Sequence, residues 1–276
     1  MPFTKMHGTG NDYIYIDLFG KALPSLERRV ELAIQMSDRH FGAGGDGVIF
    51  IEPASDGSDV QMRMFNADGS EGRMCGNGSR CVALYMTQRR GFAGESLKLQ
   101  TLSGVKILRK VPGGFEVDMG EPGLAAQDVP VLASEPERLK LEAGGREFTL
   151  HCLSMGNPHA VTVWEDLSTL EIARFGPVLE HNALFPERVN IEFIQPEGEA
   201  LRTRVWERGS GETLACGTGA CASAVAAIRM GLVPRRPVTV RLLGGDLRID
   251  WRESDNHVYM TGPAAFVFDG SWPGEL

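Results

Sequence analysis

Hydrophobic and polar residues alternate in several short segments of the chain. A two-residue period turns one face of a segment toward a core, so such segments predict β-strands. The four segments that show this pattern are VQMRMF (60–65), LKLQTL (97–102), LRTRVW (201–206) and VTVRLL (238–243). Glycine turns at Ser103-Gly104 and Gly244-Gly245 follow two of them, and each predicts a hairpin.

Three other segments are apolar in a way that predicts helices. ACASAVAAI (220–228) consists of small or apolar residues on every face, which is typical of a buried helix. CVALYM (81–86) follows a similar glycine-rich loop earlier in the chain. Residues 26–36 place Leu26, Val30, Ala33 and Ile34 at helical spacing.

The segments occur in matched pairs at one offset, so the chain reads as a duplication. The matched pairs, each 141 positions apart, are Arg63 and Arg204, Glu71 and Glu212, Cys75 and Cys216, Gly78 and Gly219, Leu102 and Leu243, and Gly104 and Gly245. This pattern predicts an α/β fold of the α+β type. It predicts two similar domains, each a curved sheet around a central helix. Residues 1–120, completed by 264–276, would form the first and 121–263 the second.

Composition and charge argue against several classes of function. The net charge is −8 and the pI is about 5.3, and no basic stretch offers a surface for nucleic acid. No apolar run reaches membrane-spanning length and the start MPFTKMHGTGND lacks a signal-peptide pattern, so we expect a cytoplasmic protein without a membrane partner. Five cysteines without a CxxC motif or zinc-ligand spacing predict reduced thiols and no metal site.

Cys75 and Cys216 each stand where a glycine-rich loop opens into a predicted helix. Free N–H groups and the positive end of the helix dipole lower the pKa of a thiol there and can also hold a carboxylate. The glycines at 76, 78, 217 and 219 are expected to let the backbone approach a ligand closely. Each loop therefore combines a base with an anion cradle.

Two thiols in matched loops favour a racemase or epimerase, because one can remove an α-proton while the other returns a proton to the opposite face. Cys81, Cys152 and Cys221 are interpreted as packing residues. A papain-like pair of one cysteine with His159 is an alternative, but it leaves the second cysteine unexplained. A non-enzymatic module that binds amino acids would not require either thiol.

NADGSEGRMCGNGSR (66–80) resembles the signature of the diaminopimelate epimerase family. Further blocks resemble that family in the same order: MHGTGNDYIYID (6–17), FGAGGDG (41–47), MGNPHAV (155–161), RVNIEF (188–193) and ERGSGETLACGTGACAS (207–223). The resemblance implies two similar domains related by a pseudo-two-fold axis, each with mostly antiparallel strands that form a curved sheet or barrel around the central helix. It also implies interconversion of LL- and meso-diaminopimelate without pyridoxal phosphate, metal or another cofactor, in lysine and peptidoglycan precursor synthesis, by an enzyme that is commonly a homodimer.

The resemblance also implies roles for individual residues. Cys75 and Cys216 would be the acid/base pair, with His159 and Glu207 assisting at the reacting centre. The positions at the two helix starts, Gly76, Asn77, Gly217 and Thr218, would hold the carboxylate of that centre. The substrate's other polar groups would be held by Asn11, Asn66, Asn157, Asn190 and Arg208. Asparagines can accept from ammonium and donate to carboxylate, and arginine can grip a carboxylate with two hydrogen bonds.

Two points in the sequence qualify this prediction. Many family members have glutamine where this chain has Gly47, so a side chain that would help line the pocket is missing. The nearest rival function is that of another cysteine-pair racemase acting on proline, hydroxyproline or a different amino acid. That family usually has histidine where this chain has Asn77, and the asparagine cluster with Arg208 favours a substrate with two polar ends.

Overall fold

The computed structural model describes residues 1–274, which form two compact units. The first contains Met1–Val117 and the segment from Thr261 onward, and the second contains Asp118–Met260. Positions 275 and 276, the end of the predicted segment 264–276, lie outside the described residues. The domain boundaries that the sequence predicts, at 120 and 263, stay a prediction.

The first unit alternates strands with two helices. In chain order its elements are β1 (Pro2–Gly8), β2 (Asn11–Asp17), α1 (Leu26–Ser37), β3 (Gly47–Glu52), β4 (Val60–Asn66), β5 (Glu71–Gly72), α2 (Gly76–Arg89), β6 (Ser96–Thr101), β7 (Gly104–Val111) and β8 (Gly114–Asp118). Ser25 caps α1 by accepting a hydrogen bond from the backbone N–H of Arg28, so the helix begins where the spacing predicts.

The second unit follows the same order. Its elements are β9 (Leu139–Ala143), β10 (Arg146–Ser154), β11 (Pro158–Val163), α3 (Ile172–Glu180), β12 (Asn190–Glu197), β13 (Ala200–Glu207), β14 (Gly211–Thr213), α4 (Gly217–Arg229), β15 (Val238–Leu242), β16 (Gly245–Trp251) and β17 (Val258–Gly262). A last strand, β18 (Ala265–Ser271), pairs antiparallel with β1 as β9 pairs with β10. The pattern did not predict α3, which is short and contains Gly176 and Pro177.

Strand pairing shows that the second unit repeats the first. β1–β2, β2–β3, β3–β4, β4–β6 and β6–β7 pair antiparallel, parallel, antiparallel, parallel and antiparallel, and β10–β11, β11–β12, β12–β13, β13–β15 and β15–β16 pair in the same sequence of directions. The register agrees too: Val60 pairs with Leu99, and Leu201 pairs with Val240, each 141 positions later.

Side-chain pairing repeats as well. Arg63 forms an ion pair with Glu71 across the β4–β5 hairpin, and Arg204 forms the matching pair with Glu212 at 2.7 Å. The predicted duplication is therefore confirmed at the level of topology, register and individual ion pairs.

In each unit, strands of the sheet pack around a buried helix. Every residue of α4 from Gly219 to Ala227 is buried, and the helix packs against β10–β13, β15 and β16. α2 packs against β1, β2 and β7. The small residues of α4 let strands approach it on all sides. The predicted fold class, an α+β arrangement of two similar domains with a mostly antiparallel sheet around a central helix, is confirmed.

The other two helices, α1 and α3, pack against strands of their own units. α1 packs against β2, β3 and β4, and its Leu32, Ala33 and Met36 join the core there. α3 packs against β12, β13 and β14, and its Phe175 and Leu179 join the cluster of Phe148, Trp164 and Phe193. No helix within residues 1–274 has the length and apolar character needed to cross a membrane.

Candidate active site

Each of the two cysteines singled out by the repeat caps the start of a buried helix. Cys75 is the N-cap of α2, and its Sγ accepts from the backbone N–H of Gly78 at 3.3 Å. Cys216 is the N-cap of α4, and its Sγ accepts from the N–H of Gly219 at 3.4 Å. Both have extended backbone, with φ −135° and −113°, as N-cap residues require. The prediction that both thiols lie at helix starts is confirmed.

The glycines in the first turns lie close to side chains of the neighbouring strands. A Cβ on Gly78 would lie 2.7 Å from Cδ1 of Ile49, and a Cβ on Gly219 would lie 2.8 Å from Oε1 of Glu192. Glycine at both positions therefore lets strand and helix approach closely. The expectation that these glycines also let a ligand approach the backbone stays a prediction.

Around Cys75 the first unit gathers amides. The Sγ of Cys75 lies 3.4 Å from Oδ1 of Asn11, whose Nδ2 donates to Asp46 at 2.6 Å. Asn77 is buried, and its Nδ2 lies 3.5 Å from the same Asn11 oxygen. The structure therefore brings Asn11 and Asn77 to the thiol.

Asn66 has its own local partner. Its Nδ2 donates to Oγ of Ser70 at 3.0 Å, within the hairpin between β4 and β5. Asp68 accepts from the backbone N–H and the hydroxyl of Ser70 and so caps this loop.

Arg80 supports this cluster and was not singled out from the sequence. Its side chain is fully buried, with Nη1 3.2 Å from the carbonyl of Gly76, Nη2 2.8 Å from Oδ1 of Asn77 and Nε 3.2 Å from the carbonyl of Pro263. The guanidinium thereby ties the first turn of α2 to the returning C-terminal segment. An arginine inside a block of small residues was the available signal.

Around Cys216 the second unit gathers carboxylates instead. Cys216 is 7% exposed, and its Sγ lies 3.4 Å from Oγ1 of Thr218. Burial raises the pKa of the Cys216 thiol well above its ordinary value, and the charges of Glu207 and Glu192 raise it further. The hydrogen bonds from Thr218 and Gly219 lower it but do not prevail. The helix start alone predicts a lowered pKa for this thiol, whereas burial and the two carboxylates raise the pKa of Cys216.

His159 lies in a buried chain of polar groups. Its Nδ1 is 2.7 Å from Oε1 of Glu192, its Nε2 is 2.9 Å from Oδ1 of Asn157, and neither His159 nor Glu192 is exposed at all. Burial raises the pKa of Glu192, whereas the charge of His159 lowers it. Glu192 was not singled out from the sequence, although a glutamate inside the apolar run of β12 is unusual enough to signal a special role.

Asn190 positions the loop that carries Arg208. Its Nδ2 donates to the carbonyl of Pro158 at 2.8 Å, and its Oδ1 accepts from the backbone N–H of Arg208 at 2.9 Å. Buried Glu180 holds the same loop by accepting from the N–H of Gly209 at 2.9 Å. Both of these contacts of the Asn190 amide are with the backbone.

The ends of that loop are also fixed. Arg208 is exposed to solvent at its guanidinium, where Nη1 donates to the carbonyl of Glu187 at 2.9 Å. Glu207 accepts a short hydrogen bond from the hydroxyl of Thr213. The structure therefore places Asn157, His159, Glu207, Thr218 and Cys216 in one unit, with Arg208 on the adjoining loop.

Gly47 is not a missing pocket side chain. It is buried in β3, where a Cβ would overlap the carbonyl oxygen of Phe65 and lie 2.9 Å from Cε1 of Tyr13. A side chain at this position would point into the β3–β4 pairing. The expectation that a pocket contact is lost at Gly47 is therefore corrected by the backbone geometry.

The remaining cysteines are core residues, as the sequence analysis interpreted them. Cys81, Cys152 and Cys221 are buried in the core. Burial raises the pKa of Cys81 and of Cys152 to about 12, so both thiols stay protonated at neutral pH. In residues 1–274 no group of three or more His, Cys, Asp or Glu side chains is placed to hold a metal ion.

The raised pKa of Cys216 leads to a prediction about its alkylation. A thiol whose pKa lies above the ordinary value of ~8.5 contains little thiolate at pH 8, so iodoacetamide should label Cys216 at least ~10-fold more slowly than it labels glutathione. The labelling rate should still rise between pH 9 and pH 10, where the rate of glutathione levels off. Peptide mass spectrometry of the Cys216 peptide measures both. A rate that reaches its plateau near pH 8 would contradict the raised pKa.

Comparison with known proteins identifies the family of this chain. The model of the diaminopimelate epimerase family matches residues 3–125 and 151–267, which include both capping cysteines and all of their named neighbours. The chain belongs to the diaminopimelate epimerase family. It is 49% identical to the diaminopimelate epimerase of Acetivibrio thermocellus over 98% of each chain. It is 48% identical to that of Nostoc punctiforme, covering 97% of this chain and 98% of the relative.

Solved structures with much lower sequence identity share the fold. A phenazine biosynthesis protein of the PhzF family from Enterococcus faecalis is 17% identical, with a TM-score of 0.68 over 98% of this chain and 97% of its own. A hydroxyproline epimerase from Agrobacterium vitis is 14% identical, with a TM-score of 0.67 over 98% of this chain and 91% of its own. These likenesses show that the chain shares the fold of those two proteins.

Proposed function

We propose that this chain is a cofactor-independent epimerase that interconverts LL- and meso-diaminopimelate. The observation that carries the proposal is the pair of thiols, Cys75 and Cys216, each capping the central helix at the equivalent position of a duplicated unit. The match to the diaminopimelate epimerase family supports the substrate.

Proton transfer between the two thiols is the proposed chemistry. Burial and the charges of Glu207 and Glu192 raise the pKa of Cys216 and so favour its protonated form in the protein without substrate. We therefore propose that Cys216 is the acid when the reaction begins from this state. Cys75 as thiolate takes the α-proton from one face, and the thiol of Cys216 gives its proton to the other. Cys216 is then the thiolate and Cys75 the thiol, so the reverse reaction begins from the opposite state.

The developing negative charge needs fixed dipoles, because no cofactor is proposed to accept it. We propose that the helix starts at Gly76, Asn77, Gly217 and Thr218 donate backbone N–H groups to the α-carboxylate. His159 and Glu207 would assist at the reacting centre. Glu207 is a suitable acceptor for the α-ammonium group.

Asparagines and one arginine are proposed to hold the distal end of the substrate. Asn11 and Asn157 lie beside the chemistry in their units, through Cys75 and His159 respectively. We propose that Asn66 and Arg208 contact the substrate's distal polar groups. Asn190, whose amide bonds the Arg208 backbone, would act on the substrate mainly by placing that loop.

The biological setting is proposed from the family. We propose a soluble cytoplasmic homodimer that acts on a small amino acid and has no nucleic-acid or membrane partner. The acidic composition supports the absence of a nucleic-acid partner. Lysine and peptidoglycan precursor synthesis is the proposed pathway. Size-exclusion chromatography with light scattering measures the dimer.

Entry of solvent deuterium at the α-carbon tests the proposed function against its rivals. The purified protein is incubated in deuterated buffer with LL-diaminopimelate, L-proline or trans-4-hydroxy-L-proline, and the α-proton is followed by NMR. We expect exchange and inversion with LL-diaminopimelate only. Exchange with proline or hydroxyproline instead would favour the related racemase. No exchange with any of the three would leave a binding module as the better interpretation.

A further inference from the structure

Glu192 is a buried acid that the proposed reaction has not yet used. It lies in β12 with no exposed surface, and its Oε1 is 2.7 Å from Nδ1 of His159. Its other oxygen, Oε2, is buried and has no hydrogen-bond partner among the described residues. A buried polar atom without a partner destabilises the folded protein, so Glu192 does not owe its place to stability.

The first unit shows what the fold itself needs at this position. In β12–β13 pairing Glu192 lies opposite Val205, and in β3–β4 pairing Ile49 lies opposite Met64, which is 141 positions before Val205. Ile49 is thus the counterpart of Glu192. Both side chains pack against a glycine in the first turn of the central helix, Gly78 or Gly219. An isoleucine therefore suffices for packing, and the carboxylate must serve another purpose.

The neighbour of Glu192 also differs between the units. His159 pairs with Asn190 across β11–β12, as Tyr13 pairs with Gly47 across β2–β3, so a tyrosine stands where the second unit has histidine. The buried His–Glu pair therefore belongs to the Cys216 unit alone.

Glu192 lies close to the reacting thiol. The point where a Cβ of Gly219 would lie is 2.8 Å from Oε1 of Glu192 and 3.3 Å from Sγ of Cys216. The titratable groups that face Glu192 are His159 on β11, Cys152 on β10, Glu207 on β13 and Cys216 at the start of α4. A change at Glu192 thus acts on the side of the enzyme that holds the second thiol.

A carboxylate beside one ring nitrogen decides where a histidine carries its proton. When the carboxylate accepts from Nδ1–H, the ring is held in one tautomer and one orientation, and the basicity of the ring rises. The far nitrogen, Nε2, then carries a lone pair, and the Asn157 side chain 2.9 Å away satisfies it once its amide is turned to present N–H₂ in place of Oδ1. One carboxylate thereby orders the imidazole and the amide behind it.

We propose that Glu192 is a positioning residue of the epimerase, which holds His159 with a proton on Nδ1 and so orders His159 and Asn157 beside Cys216. The inference deepens the proposed function and rests on it. Glu192 does not contact the substrate, and its effect on turnover passes through His159. It also explains why the fold tolerates a buried carboxylate oxygen without a partner.

Glu192→Gln removes the charge and nearly keeps the shape of the side chain. The amide can turn its N–H₂ toward Nδ1, which permits the wrong tautomer. Because a positioned acid or base contributes ~10²–10⁴-fold, we expect kcat to fall on the order of 10- to 100-fold while KM changes less than about twofold. Glu197→Gln, at the end of the same strand and bonded to Arg241 at the surface, is the matched control and should keep wild-type kcat.

A double-mutant cycle separates positioning from a general structural effect. In a His159→Gln background, Glu192→Gln should lower the rate of α-deuterium exchange no further. Glu192→Ile, which installs the residue of the first unit, should fold with an unchanged circular dichroism spectrum and show the same loss as Glu192→Gln. Wild-type kcat in Glu192→Gln would overturn the proposal, and so would an equal second loss in the His159→Gln background.

The tautomer itself can be read without substrate. NMR of protein labelled with ¹⁵N-histidine, with His159→Gln used for assignment, should show Nδ1 protonated and a downfield proton in wild type. Glu192→Gln should lose that downfield proton. An Nδ1 that carries no proton in wild type would overturn the proposal. Because this measurement does not use diaminopimelate, it distinguishes failure of the inference from failure of the proposed function.

Discussion

Replacing Cys75 or Cys216 by serine is expected to reduce epimerisation by at least ~10³-fold, because a hydroxyl is a far weaker acid than a thiol and its alkoxide is not available as a base near neutral pH. Each variant keeps one thiol. Each should therefore still exchange the α-proton of one stereoisomer with deuterated solvent, and the two variants should act on opposite stereoisomers. NMR of LL- and meso-diaminopimelate incubated with each variant measures both properties.

The control for this pair is Cys221→Ala. Cys221 lies in the same helix as Cys216 and is buried in the core, so its replacement should reduce stability slightly and leave turnover unchanged. Turnover of either serine variant within tenfold of wild type would contradict the two-thiol mechanism. Exchange of the same stereoisomer by both variants would contradict the assignment of the two thiols to opposite faces.

Replacing Arg80 by methionine should cause the largest loss of stability among the substitutions considered. The guanidinium bonds the carbonyl of Gly76 and the amide of Asn77 inside the protein, and methionine would leave these acceptors buried without this donor. We expect the free energy of unfolding to fall by about 2–4 kcal/mol, measured by urea denaturation. Epimerisation should also fall at least ~10-fold, because the first turn of α2 carries Cys75 and the proposed carboxylate donors.

Two further variants make this prediction specific. Lysine at position 80 supplies one ammonium in place of the fork that reaches Gly76, Asn77 and Pro263 together, so Arg80→Lys should recover less than half of the lost stability. Arg89→Met changes an exposed arginine of the same helix and should alter the free energy of unfolding by less than ~0.5 kcal/mol. Wild-type stability in Arg80→Lys would show that the fork is not needed.

Much of the fold was predictable because the duplication is visible in the amino-acid sequence. Matched residues 141 positions apart predicted two similar units, and the all-apolar run at 220–228 predicted a buried helix that the structure confirms. The helix starts at Cys75 and Cys216 were predictable for the same reason. Glycine-rich loops that precede apolar runs are a local signal, which does not depend on distant parts of the chain.

The electrostatics of the site were not predictable from local pattern. The loops around Cys75 and Cys216 read alike, yet a pKa depends on groups that approach from other strands. Glu192 on β12 and Glu207 on β13 raise the pKa of Cys216, and no repeat or motif reveals their distance from that thiol. The same reason explains Gly47, where the carbonyl of Phe65 on the neighbouring strand decides what fits.

Buried polar residues were the second class that escaped prediction. Arg80 and Glu192 carry charge into the interior, and a sequence alone reports the residue type but not the burial. Their signal is a charged side chain within an otherwise small or apolar segment. In this chain that signal marks both the residue that ties down the Cys75 helix start and the residue that orders His159.

A single-turnover reaction in deuterated water tests the two-thiol account most directly. Enzyme in excess over LL-diaminopimelate is quenched before half of the substrate has reacted, and the α-position of both isomers is read by NMR or mass spectrometry. Transfer between two separate thiols predicts meso product that carries solvent deuterium from its first formation, beside unreacted LL isomer that still carries protium. Product that retains the substrate's own proton would mean that one group both removes and returns it, and would contradict the account.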